Sequence, residues 1–366
     1  MKNGITRARL GELFTFQNGR GFSKSEWSTR GLPIIRIQNL NSQDAPFNYF
    51  EGDYSPDIFV RPGDLLFSWS GTVGSSFGPH VWGGAPGLLN QHIFKVALSQ
   101  NIEKRFAYYG LMHITEEIEQ SVNGSVGLVH ITKEKLVNFT LPLPPLPEQQ
   151  RIVGILDQAF AAIATAKANT EKNLQNARAL FESSLKFSLE AGGEGWITTT
   201  IGSQVTLQRG FDITKAQQEP GDIPVVSSGG IKSYHNAAPV RGPGVVMGRK
   251  GTLGKVYFVE SDFWPHDTTL WVKEFKGNVP RFVYYFFSAF DVSRMDTGTA
   301  NPALNRNQVH PIKTLWPPVA QQKMIVAKLD LLDAESNRLA ALHQRKLAAL
   351  DNLKKSILHH AFTGQL

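Results

Sequence analysis

The chain has 366 residues, 41% hydrophobic and 19% charged, with a formal net charge of +7 and no cysteine. That length exceeds what one hydrophobic core usually supports, so two or more units are expected. The lack of cysteine excludes disulfides, a thiolate metal site and a cysteine nucleophile, and neither a signal core nor a membrane-length apolar run is present, which reads as a soluble, cytoplasmic protein.

A basic balance favours a nucleic-acid partner. Yet the charge is spread as +1 over residues 1–147, −1 over 148–195, +4 over 196–319 and +3 over 320–366, with no polybasic tail. Contacts to nucleic acid must then come from residues placed within folded domains.

Residues 1–141 read as a first α+β domain. Ile34-Ile35-Arg36-Ile37, Asp64 to Trp69 and Ile93 to Val96 are short β-branched or aromatic runs bounded by Gly, Pro and Asn, hence strands. Residues 105–120 have helical spacing and an acidic end at Glu116, Glu117 and Glu119. Base edges are read by Arg, Lys, Asn, Gln, Ser and Thr, and phosphates by Lys, Arg and loop amides. The loops offering these are Asn18-Gly19-Arg20-Gly21 with Lys24; Arg36, Gln38 and Asn39; Trp69-Ser70-Gly71-Thr72; and Asn90-Gln91-His92.

Residues 142–195 form a proline turn and a long helix. Proline fixes φ and disfavours helix before it, so Pro142 to Pro147 is read as an extended approach with helix beginning afterwards. From Glu148 to about Leu189 there is no proline and a single glycine, and a helix of roughly forty residues is about 60 Å long. Ile152, Leu156, Ala159, Ile163, Ala166, Thr170, Leu174, Ala177, Phe181 and Leu185 follow a coiled-coil seam with a stutter, where 166, 170 and 174 are successive steps of four.

Residues 196–315 read as a second α+β domain. Its candidate contacts are Gln208-Arg209-Gly210, Lys215, Ser227-Ser228, Arg249-Lys250-Gly251-Thr252 with Lys255, His266-Asp267-Thr268 and Asn305-Arg306-Asn307. Residues 316–366 then repeat the proline turn and helix. Pro144 aligns on Pro317, Gln149 on Gln322, Ile152 on Ile325 and Asp157 on Asp330, at a constant offset of 173. The second seam runs Ile325, Leu329, Leu332, Ser336, Leu339, His343, Leu347, Leu350, Lys354 and Leu358, with its stutter at the matching place. Two seams with the same irregularity predict one paired structure.

The globular halves repeat as well. Gln17 and Gly19 correspond to Gln208 and Gly210, Pro33-Ile34-Ile35 to Pro224-Val225-Val226, Gly71-Thr72-Val73-Gly74 to Gly251-Thr252-Leu253-Gly254, and Arg105-Phe106-Ala107-Tyr108-Tyr109 to Arg281-Phe282-Val283-Tyr284-Tyr285. Where one half has Trp69-Ser70, the other has Arg249-Lys250, so a shared frame carries different side chains. Gly-Thr-x-Gly also fits a plain tight turn. His92 and His266 read as hydrogen-bonded structural residues rather than metal ligands, and the paired tyrosines as core.

The run Pro147-Glu148-Gln149-Gln150-Arg151-Ile152-Val153, the duplication and the ending Leu353 to Leu366 resemble the DNA specificity subunit of type I restriction-modification systems. That resemblance implies two target recognition domains, each reading one half of a split asymmetric DNA sequence, with the two helices packed antiparallel as the spacer between the halves. It implies partners too: double-stranded DNA, two modification subunits that methylate adenine with S-adenosylmethionine, and restriction subunits using ATP and Mg. No cofactor, metal or membrane is expected for this chain itself.

Catalytic readings fail on the residues. The segment Gly248 to Lys255 lacks the spacing of a phosphate loop. Asn301-Pro302-Ala303-Leu304 departs from the Asn-Pro-Pro-aromatic motif of adenine methyltransferases at its third and fourth residues, and His359-His360 diverge by about 100 degrees on a helix. The rival expectations are a scaffold that binds protein alone, an enzyme with an unrecognised site, and a subunit of a type II-like fused system.

Overall fold

The computed structural model describes residues 6–42, 44–72, 75–121, 128–291 and 303–366. It divides into two compact units, Met1–Ala168 with Leu347–Leu366, and Asn169–Lys346. Val73-Gly74 and Asn301-Pro302 lie outside the described residues.

In the first unit β1 (Phe14–Asn18), β2 (Leu65–Ser68), β3 (Gly78–Val81) and β4 (Ile93–Leu98) form an antiparallel sheet in the order β1-β4-β2-β3. Alternation splits its side chains between two cores. Phe14, Phe16, Phe67, Phe94 and Val96 pack with helix α1 (Lys104–Ser121), while Leu66 and Ile93 face Ile34, Ile35, Leu88 and Leu89. Those residues belong to a smaller sheet in which Leu32–Ile35 runs parallel to Gly87–Leu89. The expected strand stops short of Arg36, which instead caps a short helix, Ile37–Asn41.

Past an antiparallel closure of Arg7–Arg9 on Thr140–Pro142, the proline run enters α2 (Leu146–Glu190). The expectation that helix waits for the end of the prolines is corrected here, because Pro147 lies inside the first turn. There its missing N–H costs nothing and its fixed φ suits the helix.

The second unit repeats the plan. Strands β5 (Thr206–Arg209), β6 (Gly244–Gly248), β7 (Val256–Val259) and β8 (Thr269–Glu274) take the order β5-β8-β6-β7, and Ile223–Ser227 runs parallel to Trp264–Pro265 beside them. Helix α3 (Pro280–Ser288) packs Phe282, Val283 and Phe286 on the sheet, Ile197–Thr200 closes on Lys313–Trp316, and α4 (Val319–Thr363) follows.

Within each unit α2 and α4 run antiparallel. In the first, Arg151 Nη2 donates to the Leu366 carbonyl at 3.1 Å and Lys167 Nζ meets Asp351 at 2.7 Å. In the second, Ser336 Oγ donates to the Ala177 carbonyl at 3.2 Å, and Leu185 and Leu329 share one apolar cluster. Ile152, Leu156, Ile163, Leu185, Leu329 and Leu358 are buried, and Leu174, Phe181, Ile325, Leu332, Leu339 and Leu347 are half-buried. Thr170, at the stutter, is also buried.

Each helix is pinned to its unit by a buried glutamine. Gln149, fully buried, accepts from the Glu103 N–H at 2.8 Å and donates to the carbonyls of Pro144 at 2.8 Å and Asn101 at 3.0 Å. Gln322 accepts from the Val279 N–H at 2.9 Å and donates to the Pro317 carbonyl at 3.0 Å and Asn278 Oδ1 at 2.7 Å. The architecture is therefore α+β, with one plan built twice and part of both long helices in each unit.

Candidate nucleic-acid interface

A close backbone approach builds the same frame in both units. A Cβ on Gly19 would lie 2.1 Å from the Asn90 carbonyl oxygen, and one on Gly210 would lie 2.1 Å from that of His266. Only glycine permits this contact. The amides around it match. Gly19 N–H donates to Ile93 and Gly210 N–H to Thr269, both at 3.1 Å; Trp69 N–H donates to His92 at 3.3 Å and Arg249 N–H to Thr268 at 2.9 Å. Asn18 and Arg209, Trp69 and Arg249, and Asn90-Gln91-His92 and His266-Asp267-Thr268 thus occupy equivalent places.

In the second unit these loops open on a cleft of about 680 Å³ lined by Gln208, Arg209, Phe211, Asp212, Arg249, Asn305, Arg306 and Asn307. Arg209 Nη2 pairs with Asp267 Oδ2 at 2.8 Å, and His266 Nδ1 lies 3.0 Å from Asp267 Oδ1. Arg249 Nη1 reaches the Asp267 carbonyl at 3.5 Å. Asn305 caps a turn of helix by accepting from the Asn307 N–H at 3.0 Å, leaving Arg306 exposed. The Gly251-Thr252-Leu253-Gly254 segment is a tight turn, with φ of 79° at Gly251 and 71° at Gly254. It leaves Lys250, Thr252 and Lys255 exposed, with Lys255 Nζ 5.6 Å from the Tyr257 ring centre. Lys215 is exposed outside the cleft lining.

Two candidates here turn inward. Ser227 is buried and donates to the Gly230 carbonyl at 3.0 Å, while Ser228, also buried, gives its N–H to Thr268 Oγ1 at 3.3 Å. Asp212, His266 and Asp267 offer ligand atoms within 4.8 Å of one another. Both Asp267 oxygens already face Arg209 and His266.

The first unit dresses the frame differently. The Trp69 ring meets His92, Phe94 and His130 at centroid distances of 5.2, 5.8 and 4.7 Å. Among the described residues Trp69 Nε1 and His92 Nδ1 are buried without a hydrogen-bond partner. Arg20 pairs with Glu26 and lies 4.8 and 4.9 Å from the ring centres of Phe22 and Phe50. The Ser23 backbone and hydroxyl, with help from Arg20, hold the Glu26 carboxyl below its usual pKa.

Arg36 sits 5.3 Å from the Trp27 ring centre and donates to Asn48 Oδ1 at 3.2 Å. Asn39 is buried, accepting from the Arg36 N–H at 3.0 Å and donating to the Ala45 carbonyl at 3.1 Å, so it shapes the loop. Gln38 donates to the Pro46 carbonyl at 2.9 Å, and Ser70 is buried in a short strand. Lys24, Thr72 and Gln91 are exposed, and Asn90 is half-buried. The unread signal was the equivalence of Asn90 to His266, which the spacing of 176 between Arg105 and Arg281 already carried.

The chain matches the model of the type I restriction modification DNA specificity domain over residues 3–176 and again over 193–349. It is 23% identical to the type I restriction enzyme EcoBI specificity subunit of Escherichia coli, over 98% of this chain and 86% of that protein. Its fold matches a chain from a structure on complex assembly and conformational transition of the type I R-M system with a TM-score of 0.81, at 16% identity over 99% of this chain and 98% of that one. It also matches the HsdS subunit from Thermoanaerobacter tengcongensis with a TM-score of 0.58, at 17% identity over 99% of this chain and 97% of that one. Two copies of one domain, each on the same frame, therefore place this chain in the type I restriction-modification DNA specificity family.

Proposed function

We propose that this chain is the non-catalytic DNA-recognition subunit of a type I restriction-modification complex, each globular domain reading one half of a split, asymmetric target. The observation that carries this is the duplicated frame with unlike side chains: Arg209, Arg249 and Asp267 stand where the other unit has Asn18, Trp69 and Gln91. One scaffold with two sets of readers is what two different half-sites require.

The two 45-residue helices set the gap between the half-sites and dock modification subunits, which bring S-adenosylmethionine and methylate adenine at N6. Restriction subunits, with ATP and Mg, complete the complex in the cytoplasm. No helix among the described residues is long and apolar enough to cross a membrane. Adding one heptad to both α2 and α4 should lengthen the unread gap in the methylated target. An unchanged gap in a methylating complex contradicts the spacer role.

A further inference from the structure

At the rim of the second unit's cleft, Arg209 is exposed yet held. Its side chain is 56% accessible, while the Asp267 carboxylate gripping it is only 20% accessible. Asp267 Oδ2 takes Arg209 Nη2 at 2.8 Å, and its other oxygen faces His266 Nδ1 at 3.0 Å. His266 Nδ1 also accepts from the Thr268 N–H at 3.4 Å, so the hold on Arg209 comes from the Asp267 carboxylate.

We infer that Arg209 reads the major-groove edge of a guanine in one half of the target, and that Asp267 is its positioning residue. This rests on the recognition role proposed above. A guanidinium presents five N–H donors in a rigid plane, so fixing one terminal nitrogen orients the others. Guanine O6 and N7 are an acceptor pair that such a fork matches, while a phosphate also takes two of its N–H groups but carries no base identity. The carboxylate, neutralised by Arg209, can stand near DNA. Gly210, with no room for a Cβ, locks the backbone immediately beside the reader.

A divalent cation on Asp212, His266 and Asp267 is the competing arrangement, and it would have to displace Arg209 from Asp267. The first unit has Asn18 and Gln91 at the equivalent places, so those places offer no fork held by a carboxylate; its Arg20 pairs with Glu26 at a different point of the frame. One half of the target, and one position within it, carries the dependence.

The test selects duplexes from a random-sequence pool with the full chain and its modification subunit, and sequences what is retained. The unmodified complex should enrich a two-part motif with a guanine in one half. Arg209→Ala should reduce preference at that position about tenfold or more while the other half stays unchanged. Arg209→Lys, which keeps the charge and loses the fork, should not restore it. Asp267→Asn should relax the same position about threefold or more, with total retention largely kept. Uniformly weaker retention by Arg209→Ala, with the preference intact, makes Arg209 a phosphate contact and overturns the inference. So does an effect of Asp267→Asn at another position, or a guanine preference abolished by EDTA and restored by zinc. Absence of any two-part motif for the unmodified complex instead overturns the recognition role itself.

Discussion

Tyr285 donates its phenolic hydrogen to Oδ1 of Asp330 at 2.6 Å, and Arg281 Nε donates to the same oxygen at 2.9 Å. The first unit holds the same triad, with Tyr109 and Arg105 both 2.5 Å from Asp157 Oδ1. Each triad fastens the helix of a globular domain to one of the long helices. Reading these tyrosines as core alone missed their hydroxyls. Asp330→Asn should destabilise the second unit by about 1–2 kcal/mol, the lower part of the range for charged hydrogen bonds because Asp330 is partly exposed. Urea unfolding of the full chain should show this, and Asp157→Asn should act on the first unit.

The same bonds have an alkaline signature. Burial first, then the Asp157 hydrogen bond, push the Tyr109 phenol from 10.0 to about 12. The protonated form is favoured in the folded state, so this contribution to stability is present below pH about 10 and is lost as pH rises towards about 12. Burial raises Tyr108 and Tyr285 as well, so tyrosinate absorbance of folded Tyr109→Phe should show one late-titrating group fewer than the parent.

Gln149→Ala should cost more than either triad change. It strands the Glu103 N–H and leaves the carbonyls of Asn101 and Pro144 without their donor, at a site closed to water. A loss of about 2–4 kcal/mol is expected, with Gln322→Ala acting similarly on the second unit. Differential scanning calorimetry that finds either variant as stable as the parent contradicts the pinning role.

His113 makes the first unit sensitive to acid. Burial, with His359 and Arg7 nearby, lowers its pKa from 6.5 to about 4, and its Nε2 faces Glu117 at 3.2 Å while its ring stacks on Phe362. A depressed pKa means that the unfolded chain takes up the proton first. Stability present above pH about 6.5 is therefore lost as pH falls towards about 4, to an extent of about 3 kcal/mol. His113→Phe should flatten that part of the melting-temperature profile.

Gly210→Ala should weaken reading of one half of the target and Gly19→Ala the other, because a Cβ at either position meets a carbonyl oxygen at 2.1 Å. Backbone must shift, at a cost of about 1–3 kcal/mol. Duplex binding with each half-site scrambled in turn separates the two effects.

The long helices and their seam were legible because propensity, periodicity and a fixed offset of 173 agreed over many turns. The strands Leu65–Ser68 and Ile93–Leu98 were legible as apolar runs between turn residues. Pro147 was misplaced because position within the first helical turn, which excuses its missing N–H, is invisible to a rule about proline. The candidate loops were legible as polar turns, but the sequence could not separate Arg209, exposed at the rim, from Asn39, buried and spent on Ala45. That distinction depends on which backbone groups the fold leaves unpaired, and those are set by strands far away in the chain.

The most direct measurement is a map of methylated adenines in DNA from cells expressing this chain with its modification subunit. The account predicts an asymmetric motif of two unlike specified parts separated by a fixed unread gap, with Arg209→Ala relaxing one part only. Methylation at one uninterrupted motif, or at two identical halves, contradicts it.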